Sequence, residues 1–367
     1  MPAGAYLDWN ATAPLRPEAR AALSSALDLL GNPSSVHGFG RRARKVVEDA
    51  RESVAALVGA APADVIFTAG GTEANNLALG GTGLPRRLVL ATEHASVLDA
   101  DPEAERVPVT GDGLVDLPAL DAMLAAGGPA LVSVQAVNNE TGVIQPLDRV
   151  AAIVHARGGL LHSDAVQAAG RLPLDMGRGD VDLLTLSAHK IGGPQGVGAL
   201  VVRPGVPLAP LLRGGGQERR RRAGTENVAG IAGFGAAAAA ARQGLADYAG
   251  IARLRDRIEA AACGVPGAMV FGAGAPRVAN TSCVALPGVP AESQLMALDL
   301  AGIAVSTGAA CSSGTVRVSH VLTAMGADPA LARCAIRVSL GWTTTEAEVD
   351  RFLEAWRRLA AKAARAA

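Results

Sequence analysis

The sequence predicts an α/β protein: a large, mostly parallel sheet flanked by helices, joined to a smaller α+β region. Two patterns carry this expectation. Short apolar runs alternate with helical stretches through most of the first 200 residues, as in a sheet whose strands are linked by helices. From about Tyr248 the pattern changes to one long helix, shorter strands and a closing helix. With 49% hydrophobic residues, 19% charged and only 3% aromatic, the core must be built from Ala, Val and Leu.

The elements follow in order. Asp64–Thr68 reads as a strand, and Gly70-Gly71-Thr72-Glu73 opens a helix running through Leu79. Strands are expected at Arg87–Ala91, Ala130–Val134, Leu160–Ser163, Leu183–Ser187 and Gly198–Val202. Helices are expected at Arg41–Val58 and Leu147–Ala156. Beyond Tyr248 come a helix at Ile251–Ala262, strands at Ser282–Leu286 and Ala335–Leu340, and a helix from Thr345 onward. The chain is therefore read as a large unit, 14–247, and a small unit made of 1–13 with 248–367. The chemically interesting residues sit at the carboxyl ends of the strands, where open α/β sheets bind ligands.

Composition excludes several classes of function. The 34 Lys and Arg balance 34 Asp and Glu, which leaves no basic surplus for nucleic acid. The cluster Arg219–Arg222 reads as a solvated or phosphate-facing segment. The run Ile231–Ala241 is eleven residues of mostly Ala and Gly, too short and too weakly apolar to span a membrane. The N-terminal residues lack the basic and apolar regions of a secretory signal. Cys263, Cys283, Cys311 and Cys334 form no CxxC pair and no metal-ligand spacing. A cytoplasmic protein with reduced thiols and no bound metal is expected.

Three local patterns carry chemistry. The apolar strand Leu183–Ser187 delivers Lys190 to its end, with Gly192-Gly193 following. A lysine beside a buried strand is costly unless it is paired, neutral or covalently used, although a plain surface loop would also carry one. Upstream, Leu160–Ser163 ends in Asp164, which alone reads equally as a helix cap. Together, an Asp and a Lys at the ends of two strands of one sheet meet the needs of pyridoxal phosphate. The Lys forms a Schiff base, and the Asp keeps the pyridine nitrogen protonated. Gly70-Gly71-Thr72 at a strand-to-helix turn offers backbone N–H groups to a phosphate, or simply starts a helix. His94 can stack on a planar ring or serve as a structural histidine.

These residues resemble the class V aminotransferase group of pyridoxal-phosphate enzymes, specifically the NifS/IscS-type cysteine desulfurases. The likeness runs from Tyr6-Leu7-Asp8-Trp9-Asn10-Ala11-Thr12 and Gly31-Asn32-Pro33 through Thr92-Glu93-His94, Asn138-Asn139-Glu140-Thr141-Gly142 and Ser187-Ala188-His189-Lys190 to Ser306-Thr307-Gly308-Ala309-Ala310-Cys311. It implies the fold-type I architecture, pyridoxal 5'-phosphate as cofactor and a homodimer. It also implies roles. Lys190 holds the cofactor covalently; Gly71, Thr72, Ser187 and His189 hold its phosphate, with Thr225 reaching in from a second copy. Asp164 pairs with the pyridinium, His94 stacks on the ring and moves protons, and Asn139 and Gln167 contact its hydroxyl side. Arg337, helped by Asn32, binds the substrate carboxylate. A bidentate guanidinium is the usual carboxylate clamp, though a surface salt bridge is the commoner fate of an arginine.

Cys311 lies among small and flexible residues, surroundings that suit an exposed nucleophile better than a packed core thiol. The resemblance makes it the acceptor of sulfur from L-cysteine, giving L-alanine and a persulfide that passes to an iron–sulfur scaffold or another acceptor protein. Any contact with an iron–sulfur cluster would run through Cys311 alone. Cys263, Cys283 and Cys334 are expected in the core. Two stretches depart from the family pattern: Gln217 stands where a His is usual, and Val316-Arg317-Val318-Ser319 replaces Leu-Glu-Pro-Ser. A selenocysteine lyase, another class V transaminase, or a non-enzymatic interaction module are the rival readings.

Overall fold

The computed structural model describes residues 4–308 and 318–366. Its centre is a seven-stranded sheet in the order Val65–Thr68, Gly198–Val202, Leu183–Ser187, Leu160–Asp164, Leu131–Ser133, Arg87–Leu90, Glu105–Val107. The strands are parallel except Gly198–Val202, which runs antiparallel to both neighbours. The reason is chain length. Residues 188–197 are too few for the helical crossover that a parallel return needs.

Both faces of this sheet are covered, which is why its strands read as continuous apolar runs rather than alternating ones. Phe67, Leu88 and Leu90 face one cluster with Val47, Val54, Phe234 and Ala237. Ile66, Val89 and Leu200 face another with Leu77 and Leu79. The helices Pro17–Leu27, Gly38–Leu57 and Val228–Gln243 pack together on the first face. The Ala- and Gly-rich run Ile231–Ala241 thus lies inside a helix whose small residues permit close approach: a Cβ on Gly235 would meet Ala50 Cα at 2.6 Å. Among the described residues no helix is long and apolar enough to cross a membrane.

A three-stranded antiparallel sheet, Ala335–Ser339, Thr281–Ala285 and Met269–Val270, forms a separate centre. Leu7, Ile258, Val284, Ile336, Phe352 and Trp356 fill its core. The N-terminal pair Ala5–Tyr6 runs parallel to Ile303–Ala304 beside it, and Asp8 bridges to Ser339. The expected elements recur within a few residues of their reading. The strand Glu105–Val107 went unread because its first two residues are charged and exposed.

Cys283 and Cys334 are buried, but Cys263 is exposed, contrary to expectation. Helix Ala252–Cys263 buries Leu254, Ile258 and Ala262, a stripe at i, i+4 and i+8. Cys263 is one residue, about 100°, off that stripe and faces out.

Candidate active site

The carboxyl ends of the central strands open into a cavity of about 290 Å³. Asp164 is the last residue of Leu160–Asp164. Its Oδ2 accepts from Asn75 Nδ2 at 2.8 Å and its Oδ1 from the Val166 N–H at 2.9 Å. Asn75 is fully buried on helix Gly71–Gly81 and also donates to Ser96 Oγ at 2.9 Å. Ser96 in turn meets His94: its N–H donates to His94 Nδ1 at 3.1 Å, and its Oγ lies 2.8 Å from the same nitrogen. Because Nδ1 accepts a backbone N–H it carries no proton, so the ring's proton is on Nε2. His94 is in this way tied to Asp164 through two neutral side chains.

Lys190 ends the short turn Ala188–Lys190 that follows strand Leu183–Ser187. Its Nζ donates to the carbonyl of Asn10 at 2.6 Å and of Ala11 at 2.7 Å. His189 Nδ1 lies 3.1 Å from Thr12 Oγ1, and burial, with Lys190 beside it, pushes its pKa down to about 4. Gly71 begins helix Gly71–Gly81, whose N-cap Gly70 offers no side-chain cap, and Gly71 and Thr72 line the cavity together with Ser187. A Cβ on Gly71 would stand 3.1 Å from Val166 Cγ2 and 3.5 Å from Ser187 Cβ, so only glycine leaves this corner open.

On the far side stand Asn139, Gln167 and Arg337. Arg337, on strand Ala335–Ser339, is buried; Nη2 donates to Asp8 Oδ1 at 2.8 Å and Nη1 to the Asn139 carbonyl at 3.1 Å. Its Nε is buried without a partner, and so is Gln167 Oε1, whose amide nitrogen donates to the Asn10 carbonyl at 3.0 Å. Burial pushes the Glu93 carboxyl well up, and nearby Asp164 adds to this. Burial also raises Glu140, opposed by the Ser319 hydroxyl, which donates to its Oε2 at 2.5 Å, and by His320, Arg337 and His94.

Of the residues singled out in the sequence, Gly71, Thr72, His94, Asn139, Asp164, Gln167, Ser187, His189, Lys190 and Arg337 line this one cavity. Asn32 does not. It is exposed in the loop before helix Gly38–Leu57, and its Oδ1 is used locally, accepting from the Ser34 N–H at 2.8 Å. Thr225 is exposed and lines a different cavity, of about 100 Å³. Cys311, with the departing residues 316 and 317, lies outside the described residues. Gly308, before it, borders the cavity and packs so tightly on Glu140 that a Cβ would run into the carboxylate.

Reasoning from the sequence missed Asn10, Asn75 and Gln135, which also line the cavity. Asn75 had a visible signal: a polar residue four positions after Gly71, on the helix face that packs against the sheet. Among the described residues, no group of three or more His, Cys, Asp or Glu could hold a metal ion.

The Lys190 amine, the start of helix Gly71–Gly81, the Asp164 carboxylate and the buried Arg337 guanidinium thus surround one cavity. The class V aminotransferase profile matches residues 5–352, and the chain belongs to that family. Within it, the chain is 46% identical over 365 residues to the cysteine desulfurase of Cereibacter sphaeroides, covering 95% of this chain and 94% of that one. It is 42% identical over 384 residues to the IscS-like cysteine desulfurase of Mycobacterium tuberculosis, covering 99% and 98%. The NifS-like protein of Rickettsia africae superposes with a TM-score of 0.89 at 34% identity, covering 97% of this chain and 99% of that one.

Proposed function

We propose that this chain is a pyridoxal-phosphate-dependent cysteine desulfurase, a sulfurtransferase that takes sulfur from L-cysteine and leaves L-alanine. The observation that carries this reading is the convergence of Lys190, Asp164 and Arg337 on one cavity beside the open N-terminus of helix Gly71–Gly81. The residues fit the cofactor. The amine suits its aldehyde, the uncapped helix end with Thr72, Ser187 and His189 suits its phosphate, and Asp164 suits its ring nitrogen. The orphaned Gln167 Oε1 offers an acceptor for the ring hydroxyl. When bound, pyridoxal phosphate supplies the electron sink that lets the substrate lose its α-proton.

The chain's own residues do the rest. Asn75 and the Val166 N–H hold both oxygens of Asp164, keeping it aimed at a ring nitrogen. The Asn10 and Ala11 carbonyls receive the Lys190 amine, which holds the cofactor and, once released, takes the α-proton. Arg337, steadied by Asp8, takes the substrate carboxylate. The Cys311 thiolate attacks the substrate sulfur: a sulfur–sulfur bond forms, the carbon–sulfur bond breaks with its electron pair left on the carbon skeleton, which takes a proton to become L-alanine, and a persulfide is left on Cys311. That sulfur goes to an iron–sulfur scaffold or another acceptor protein. We read the enzyme as a homodimer in which Thr225 completes the phosphate site of the second copy, with units 14–247 and 1–13 plus 248–367.

The test compares sulfide and alanine release by the wild type and by Cys311→Ala, with absorbance recorded alongside. The expected result is an active wild type and a variant whose absorbance still responds to cysteine but which makes no sulfide. Equal sulfide from both would put a lyase or transaminase in its place, and a colourless, inactive protein would point to an interaction module.

A further inference from the structure

Buried guanidinium groups in this fold have acid partners: Arg51 pairs with Glu218, Arg277 with Glu259 and Arg337 with Asp8. Arg171 is the exception. It is 7% exposed, yet among the described residues no carboxylate lies within ion-pair distance. Its Nη1 donates to the side-chain oxygen of Asn10 at 2.7 Å. A buried cation without an acid is expensive and persists where something else depends on it.

Asn10 is 1% exposed and carries seven hydrogen bonds that tie it to five separate parts of the chain. Its N–H and Nδ2 hold Ser339, Thr281 and the Asn139 carbonyl. Its Oδ1 receives Arg171 and, at 3.2 Å, Asn280. Its backbone carbonyl receives Gln167 and the Lys190 amine. One residue therefore presents a side-chain oxygen to the Arg171 cation and a main-chain oxygen to the Lys190 amine.

We propose that Arg171, acting through Asn10, is a positioning residue for the Lys190 amine: it locks the residue whose carbonyl receives Nζ and places a second positive charge behind it. This rests on reading Lys190 as the cofactor-binding lysine. A nearby like charge disfavours an ammonium, so Arg171 holds more of Lys190 as the free amine, the form that attacks a carbonyl. The other charged groups in play are His189 beside Lys190 and Asp164, His94 and Arg337 around the cavity. Tyr248 and Arg337 face Arg171. Asp164 across the cavity and the Asn10 and Ala11 carbonyls favour the ammonium, while Arg171 and Arg337 oppose it.

The chain has only three lysines, Lys45, Lys190 and Lys362, which makes the amine directly readable. Full-length protein, freed of any bound carbonyl cofactor with hydroxylamine and dialysed, is treated with formaldehyde and cyanoborohydride across a pH series, and methylation of each lysine is followed by peptide mass spectrometry. Lys45, well exposed, is the internal reference. In Arg171→Gln the midpoint for Lys190 should move up by about one pH unit while Lys45 stays put. Arg171→Lys should keep the wild-type midpoint. Should Arg171→Gln fail to fold, Asn10→Asp, nearly isosteric, places a negative charge at the same point and should raise the midpoint too. An unmoved Lys190 midpoint in a folded Arg171→Gln or Asn10→Asp overturns the proposal. Neither cofactor nor sulfide enters the readout, so a failure of the desulfurase reading would be seen separately.

Discussion

At the scale of single residues, Arg337 makes the sharpest claim. Asp8 holds Nη2 and the Asn139 carbonyl holds Nη1, while Nε is buried with no partner. A guanidinium fixed on two sides with a donor to spare is prepared for one more oxygen. Arg337→Ala should raise the KM for L-cysteine roughly 10- to 100-fold with a smaller change in kcat, from the 1.5–3 kcal/mol of charged hydrogen bonds lost. Steady-state kinetics checks this, and an unchanged KM would remove Arg337 from the substrate site. Asp164, Lys190 and Arg337 could be read from the sequence because each is a charged residue at or near an apolar strand. Asn10 and Arg171 could not, and Asn75 showed only its helical spacing from Gly71, not its partner. Their importance lies in contacts such as Asn75 to Asp164 and Arg171 to Asn10, and no local pattern announces a partner more than 80 positions away.

At the scale of elements, the turn at Glu218–Arg220 is the most strained. Three successive residues without a glycine adopt positive φ, at 45°, 55° and 65°. The turn is held from inside. Glu218 makes two hydrogen bonds to Arg51, at 2.7 and 2.9 Å, and accepts from the Phe67 N–H at 2.9 Å. Phe67 belongs to the strand that leads into Gly70 and Gly71, so the strained turn is bolted to the root of the candidate phosphate site. Arg220 is exposed, with φ of 65°. Arg220→Gly should therefore stabilise the fold by about 1 kcal/mol, a rise in Tm of about 2 °C in a thermal melt. A fall would mean that the arginine side chain contributes more than its backbone costs. The sheet strands were legible because burial on both faces writes itself as an apolar run. The left-handed turn was not, because it depends on Arg51, 167 positions from Glu218.

At the scale of the whole molecule, a buried histidine sets how the fold responds to acid. His162 lies inside the central sheet between Ser133 Oγ at 2.8 Å and Thr185 Oγ1 at 3.0 Å. Burial pushes its pKa from 6.5 down to about 4, with Asp164 opposing. The unfolded chain takes up this proton near pH 6.5, but the folded chain resists until about pH 4. Stability is thus whole above 6.5 and falls as pH drops through this window, by up to about 3 kcal/mol from this one group. Half-buried His189 acts in the same direction. Urea melts at pH 7, 6, 5 and 4.5 should give a declining series, and His162→Gln should flatten it even if its stability at pH 7 is lower. An equally steep series in that variant would assign the acid sensitivity elsewhere.

The joining of Asp8 and Asn10 to Ser339 and Arg337 has a consequence for how the protein is made. Every strand of the central sheet is complete by Val202, so a nascent chain can fold that sheet while still on the ribosome. The cavity cannot close then, because Arg337 and the strand that carries it have not been translated. At about 5–20 residues per second, roughly 7 to 30 seconds separate the emergence of Lys190 from that of Arg337. During that interval the amine is present without the walls that give it selectivity, and the N-terminal ten residues wait for a partner strand. The candidate site is thus finished late, although most of its residues are among the first to be made.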